Sequence, residues 1–213
     1  MILVIAAHPD DEVLGCGSTI SILSITQPVN LLLLGTGRDH SIAGKNKILD
    51  CVKRSADILG IQHFDTLDFP DQKYDTVPLI DITQAIEGVV GRCQPEIIYT
   101  HYRNDLNKDH RITHGAVMTA CRPQPGAAVK KIYSFEVLSS TEWQYPFSFN
   151  PNVYVPINGA LRAKTHAMQL YAEETREAPH PRSIQGIVNL ARYRGQQVGV
   201  EYAEAFELVR EVV

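Results

Sequence analysis

The sequence predicts an α/β fold: a Rossmann-like three-layer sandwich with a mostly parallel sheet and helices on both faces. Two observations carry that reading. Short apolar runs alternate four times with stretches of helical spacing, the pattern of successive βαβ units. Those runs are continuous rather than alternating, as strands covered on both faces require.

The first run, Met1 to Ala7, is rich in β-branched residues and stops at His8-Pro9, where proline bars the strand from continuing. Glu12 to Leu23 reads as a helix, with Gly15 and Gly17 allowing close backbone packing. Val29 to Gly35 is a second strand, followed by the loop Gly35-Thr36-Gly37. Lys45 to Leu59 has helical spacing in Ile48, Val52, Ala56 and Leu59, and stops at Gly60. Phe64 to Phe69 is a third strand, ending in the turn Pro70-Asp71. Pro78 to Arg92 is an amphipathic helix that puts Ile82, Ala85, Ile86, Val89 and Val90 on one face. Glu96 to His101 is a fourth strand. A polar loop, Tyr102 to Asp109, leads into a helix over His110 to Cys121.

The remainder is less regular. Lys131 to Val137 and Asn152 to Ile157 read as strands, and Leu161 to Glu174 and Arg182 to Gly195 as helices; Tyr202 to Arg210 fits either. No linker, repeat or low-complexity segment interrupts the 213 residues, so a single domain spanning 1–213 is expected.

Composition excludes several classes. A net charge of −4 argues against broad nucleic-acid binding, which needs a basic face. The longest apolar run, Val29 to Leu34, is too short to span a membrane, and the N-terminus lacks the features of a signal peptide. Cys16, Cys51, Cys93 and Cys121 form no CxxC pair and read as reduced thiols of a cytoplasmic protein. Neither GxGxxG nor GxxxxGK[ST] is present, which disfavours a non-hydrolytic nucleotide-binding module.

Chemistry concentrates in Ala7-His8-Pro9-Asp10-Asp11-Glu12, where one histidine and three carboxylates directly follow a strand. Zinc takes imidazole nitrogen and carboxylate oxygen, and catalytic zinc keeps a position open for water. His8 and Asp11 are three apart and can face one side of a turn entering a helix. Adjacent residues usually face different ways, so one of the two neighbouring acids can ligate while the other works on the bound water. The plainer reading has Asp10 and Asp11 merely capping the helix.

A second cluster, Thr100 to Arg111, again follows a strand and opens a helix. Ligand sites of such sheets lie beyond the carboxyl ends of the strands, so the two clusters can meet. His110 is the preferred third ligand, with His101 and His114 as rivals.

At these clusters the sequence resembles the LmbE-like or PIG-L family of zinc N-acetylglucosamine deacetylases. Residues 7–12 match its first signature, continued by Leu14-Gly15-Cys16-Gly17. Asp109-His110 matches its second, and Ile58-Leu59-Gly60, Phe69-Pro70-Asp71 and Tyr202 to Phe206 are weaker echoes.

The resemblance implies one Zn2+ per chain on His8, Asp11 and His110. It implies Asp10 as the general base that takes a proton from the attacking water and passes it to the leaving amine. Many relatives carry His-Pro-Asp-His where this chain has Asn107-Lys108-Asp109-His110. Asn107, or His101 or Tyr102 from the same loop, is then expected to take the helper role. Asp109 is expected to orient a ligand. Arg38, Asp71 and Arg182 are candidate substrate contacts, and Trp143 either stacks on a sugar or anchors the core.

The expected activity is removal of an acetyl group from an N-acetylated amino sugar or its conjugate. The alternative is amide cleavage of a sugar-thiol conjugate. The expected partner is a small amino-sugar substrate, with no nucleic acid and no membrane span, and the family leaves room for a homo-oligomer.

Overall fold

A computed structural model describes residues 1–39 and 41–213. Its seven-stranded sheet has the order β3-β2-β1-β4-β5-β7-β6. The strands are β1 Ile2–Ala6, β2 Val29–Leu33, β3 His63–Thr66, β4 Ile97–His101, β5 Lys131–Phe135, β6 Val153–Pro156 and β7 Ala203–Glu211. β1 to β5 are mutually parallel, whereas β7 runs antiparallel between β5 and β6. The C-terminal segment, for which strand and helix were both open, is thus a strand.

The helices are α1 Asp11–Leu23, α2 Ile42–Leu59, α3 Leu79–Cys93, α4 Lys108–Ala120, α5 Leu161–Leu170 and α6 Ile184–Gln196. They cover both faces of the sheet, and β1 shows the division. Ile2, Val4 and Ala6 pack with Val13 and Leu14 of α1, Val52 of α2, Met168 of α5 and Ile187 of α6. The intervening Leu3, Ile5 and Ala7 pack with Ile82 and Ile86 of α3 and Val117 of α4. Among the described residues no helix is long and apolar enough to cross a membrane.

Several expected boundaries move. α2 begins at Ile42, capped by Ser41, whose hydroxyl accepts the Gly44 N–H at 3.0 Å. α4 begins at Lys108 rather than His110, and α5 stops at Leu170 rather than Glu174.

α1 is broken at Cys16, whose φ of −146° is not helical. An ion pair from two distant elements sits at the break. Glu204 of β7 accepts from Ser18 N–H and Thr19 N–H, at 3.0 and 2.7 Å. Lys164 of α5 donates to Leu14 C=O at 2.8 Å and to Glu204 at 2.6 Å. Ser18 N–H and Leu14 C=O are the two groups that pair in an unbroken helix, so this is a side-chain insertion into the ladder.

The chain winds from β1 through β2 to β3 on one side, then crosses to β4 on the other side of β1. That switch point opens a crevice beyond the carboxyl ends of β1 and β4. His8 follows β1 by one residue beyond Ala7, and His101 ends β4.

Candidate metal centre and cleft

Pro9 and the switch to α1 force a sharp turn after β1, and the turn is closed by its own acids. Asp11 accepts from His8 N–H at 2.9 Å, and Glu12 accepts from Asp10 N–H at 3.0 Å. Tyr171 in turn donates its hydroxyl to Glu12 at 2.8 Å. Asp10 is held with a φ of 101°, in the left-handed region. A non-glycine residue there costs about 1–3 kcal/mol and persists only where its surroundings fix it. Neither carboxylate caps α1 with its side chain in the plain sense: Asp10 makes no side-chain cap bond.

The turn aims Asp11 at two imidazoles. Its Oδ2 lies 3.2 Å from His8 Nδ1 and 3.3 Å from His110 Nε2. One ligand atom from each of His8, Asp11 and His110 lies within 4.8 Å of the others, and all three residues are buried. Asp11 Oδ1 and His110 Nε2 have no hydrogen-bond partner. Two imidazole nitrogens and a carboxylate with such orphaned atoms fit a divalent cation, and the donor set is one that zinc takes.

Each histidine is steadied through its other nitrogen by a buried carboxylate. His8 Nε2 lies 3.1 Å from Asp109 Oδ2, which also accepts from Gln72 N–H at 2.7 Å, while Asp109 Oδ1 accepts from Tyr74 N–H at 3.1 Å. His110 Nδ1 lies 3.2 Å from Asp105 Oδ1. Asp105 is itself anchored by the hydroxyls of Ser140 and Thr141 and by Asn107 N–H. Asp109 thus contacts His8 and not its neighbour His110. Asp105 was not singled out in the sequence. A second grouping, His8 with Asp71 and Asp109, also brings three donor atoms close. It shares His8, and its Asp109 is already held by backbone donors.

The charges at the centre follow from these contacts. Burial opposes a charge on His8, yet Asp109 and Asp11 push its pKa up to about 10. His110 is likewise disfavoured by burial but raised to about 9 by Asp11 and Asp105. Burial works against the Asp11 carboxylate, but His110 and His101 hold it well below the usual range. Asp10 goes the other way. Burial lifts it well above the carboxylate range, Arg182 opposes this, and Asp11 and Glu174 reinforce it. Adjacent acids thus sit in opposite electrostatic settings, one suited to a cation and one to proton transfer.

His101 is placed differently from the helper expected of it. It is fully buried, its Nε2 accepts from Ala7 N–H at 2.9 Å, and its ring stacks on His110 at 4.0 Å. It supports the centre from beneath and does not line the cleft. His114, the other rival ligand, engages His101 C=O through Nδ1 at 2.9 Å. Tyr102 is also buried, with its hydroxyl donated to Ser148 C=O at 2.7 Å. Asn107 caps α4 by accepting Asp109 N–H at 2.8 Å, and it does line the cleft.

The cleft is a cavity of about 490 Å³ above the centre, within the usual range for small-molecule sites. His8, Asp10, Asp71, Arg38, Asn107 and Arg182 all line it. Arg38 is mostly exposed, with Nε 3.9 Å from Asp71 Oδ2. The Asp71 side chain is 6% exposed with Oδ1 3.5 Å from His8 Nε2, so it belongs to the floor and not only to a turn. Arg182 is committed to protein groups instead of standing free for a substrate anion. It donates to Asp10 at 3.0 Å, to Glu174 at 3.4 Å and to Ser139 Oγ at 2.7 Å.

With this geometry, comparison with known proteins is decisive. The PIG-L family, GlcNAc-PI de-N-acetylase, matches residues 3–121. The chain belongs to the PIG-L family. It is 32% identical over 162 residues to an uncharacterized deacetylase, YaiS, of Escherichia coli strain K12, covering 72% of this chain and 80% of that one. It is 27% identical over 229 residues to the diacetylchitobiose deacetylase of Thermococcus kodakarensis, covering 98% and 82%. The crystal structure of GalB, the 4-carboxy-2-hydroxymuconate hydratase of Pseudomonas putida KT2440, shares the fold. Its TM-score is 0.79 at 21% identity, over 100% of this chain and 97% of that one. PIG-L membership makes the chain a hydrolase of the N-deacetylase kind, acting on an amide C–N bond.

Proposed function

We propose that this PIG-L protein removes the acetyl group from an N-acetylated amino sugar, with one zinc ion held by His8, Asp11 and His110. The observation that carries the reading is Asp10. It lines the cleft beside two imidazoles and a carboxylate, in a strained backbone conformation, with its carboxylate on Arg182. The amino-sugar substrate is supported by the Thermococcus relative, whose name specifies diacetylchitobiose.

Zinc held by these donors would supply Lewis acidity to the attacking water and the acetyl carbonyl. Asp10 takes the proton from that water and gives it to the departing amine nitrogen. Arg182 partly offsets the burial and the neighbouring acids that disfavour the ionised carboxylate. Asp109 and Asp105 hold the two imidazoles in register through their outer nitrogens. Asn107 uses its carbonyl oxygen for the helix cap, which leaves its amide N–H groups as donors for the developing oxyanion. The hydratase shares only the fold, and fold alone does not carry function.

Acetate release from N-acetylglucosamine and N,N'-diacetylchitobiose tests the reading. The zinc-loaded protein releases acetate from at least one, EDTA abolishes release, and added zinc restores it. No release from any N-acetylated amino sugar by zinc-loaded protein would overturn the reading.

A further inference from the structure

Two aromatic rings, Trp143 and His180, line the cleft together, and the chemistry above leaves them unused. Trp143 lines the cleft with its side chain 51% exposed, although it is the largest apolar side chain in the protein. His180 lines the same wall, with its ring edge-on to the indole at 5.6 Å between centroids.

Both residues are held in place. Trp143 belongs to a short 3-10 turn, Thr141–Trp143, whose Thr141 is bonded to Asp105. His180 Nδ1 accepts from Arg182 N–H at 3.1 Å, so in the neutral ring Nε2 carries the proton. Arg182 extends from there to Asp10. The wall is thus tied to the metal centre through Asp105 and to the general base through Arg182.

An indole face with an adjacent N–H donor is the recognition chemistry of a pyranose ring. The axial C–H groups of the sugar lie on the π-surface, and a hydroxyl accepts from the imidazole. Asp10, Trp143 and His180 line one continuous cleft of about 490 Å³. We propose that Trp143 and His180 form a second sugar subsite, so that the preferred substrate carries a further pyranose beyond the ring that is deacetylated. This rests on the deacetylase reading and specifies its substrate class.

Trp143 is the only tryptophan, so tryptophan fluorescence, excited selectively over tyrosine, reports on this wall alone. Zinc-loaded Asp10→Asn protein is titrated with N,N'-diacetylchitobiose and, separately, with N-acetylglucosamine. The disaccharide is expected to give a saturable shift and quench that the monosaccharide does not give at equal occupancy. In the catalytically intact background, Trp143→Ala is expected to raise KM for the disaccharide about tenfold with kcat little changed, and to leave monosaccharide kinetics alone. Trp143→Phe is expected to recover most of the loss. Turnover of both sugars with silent Trp143 fluorescence, or an unchanged disaccharide preference in Trp143→Ala, overturns the subsite and leaves the deacetylase reading intact. A saturable disaccharide response with no acetate released from either sugar does the reverse. Tyr145 and Phe147, in the same loop, are also exposed. A fluorescence change that follows protein concentration instead of sugar assigns the loop to a contact between copies and overturns the proposal.

Discussion

The Asp10 carboxylate meets the Arg182 guanidinium at 3.0 Å across 172 residues of chain. Arg182 is the one cation among the groups that set the Asp10 charge, working against burial, Asp11, Glu174 and Glu12. A buried carboxylate that must be ionised to accept a proton depends on such a partner.

Removing that cation raises the Asp10 pKa further. The base is active only when ionised, so the acid limb of the kcat/KM profile moves to higher pH in Arg182→Gln, and activity at neutral pH falls. Activity on the alkaline plateau falls less. A pH profile with its acid limb unmoved would show that Arg182 does not govern the base.

Asp105 should matter to the metal more than its distance from the cleft suggests. It is buried against His110 Nδ1, with three other donors fixing it. Losing a carboxylate that orients a ligand typically costs 10–100-fold in metal affinity. Asp105→Asn is therefore expected to bind zinc roughly 10–100-fold more weakly in a chelator competition while keeping its fold by circular dichroism.

The two glycines of α1 are not equivalent. A Cβ at Gly15 would come within 2.3 Å of the Phe135 ring, which is fully buried. A Cβ at Gly17 would sit 3.4 Å from Lys164 and Val13, ordinary contact. Gly15→Ala is expected to destabilise by about 1–3 kcal/mol in urea unfolding. Gly17→Ala is expected to be neutral, or to stabilise by up to about 1 kcal/mol.

The alternation of strands and helices and the His8, Asp10, Asp11 turn were legible because local signals agree with the fold. A continuous apolar run, a proline stop and an acidic helix start all place one short segment at a strand's carboxyl end. β7 was not legible. Its Ala203, Ala205 and Phe206 fit both periods, and only pairing with β5 and β6 decides the matter. The contact that Asp109 makes was not legible either. Neighbours on a helix point about 100° apart, so an acid beside His110 does not share its face and reaches β1's histidine instead. Asp105 and the Trp143 wall lie in irregular loops, where contacts come from tertiary packing and leave no periodic trace.

The Lys164–Glu204 pair has a structural consequence for the centre, because it secures the break in the helix that carries Asp11. Removing one partner of a buried ion pair strands the other. Glu204→Ala is expected to lose about 3–5 kcal/mol of stability, seen as a lower urea midpoint. A midpoint equal to wild type would mean that the break holds without the pair.

The division of labour between neighbouring acids is the central claim, and metal content paired with acetate release in Asp10→Asn tests it most directly. The expected result is one zinc per chain, as in wild type, with turnover reduced by roughly 10²–10⁴-fold, the contribution of a positioned base. Asp11→Ala is expected to lose the zinc as well. Full turnover in Asp10→Asn, or loss of zinc from it, would contradict the account.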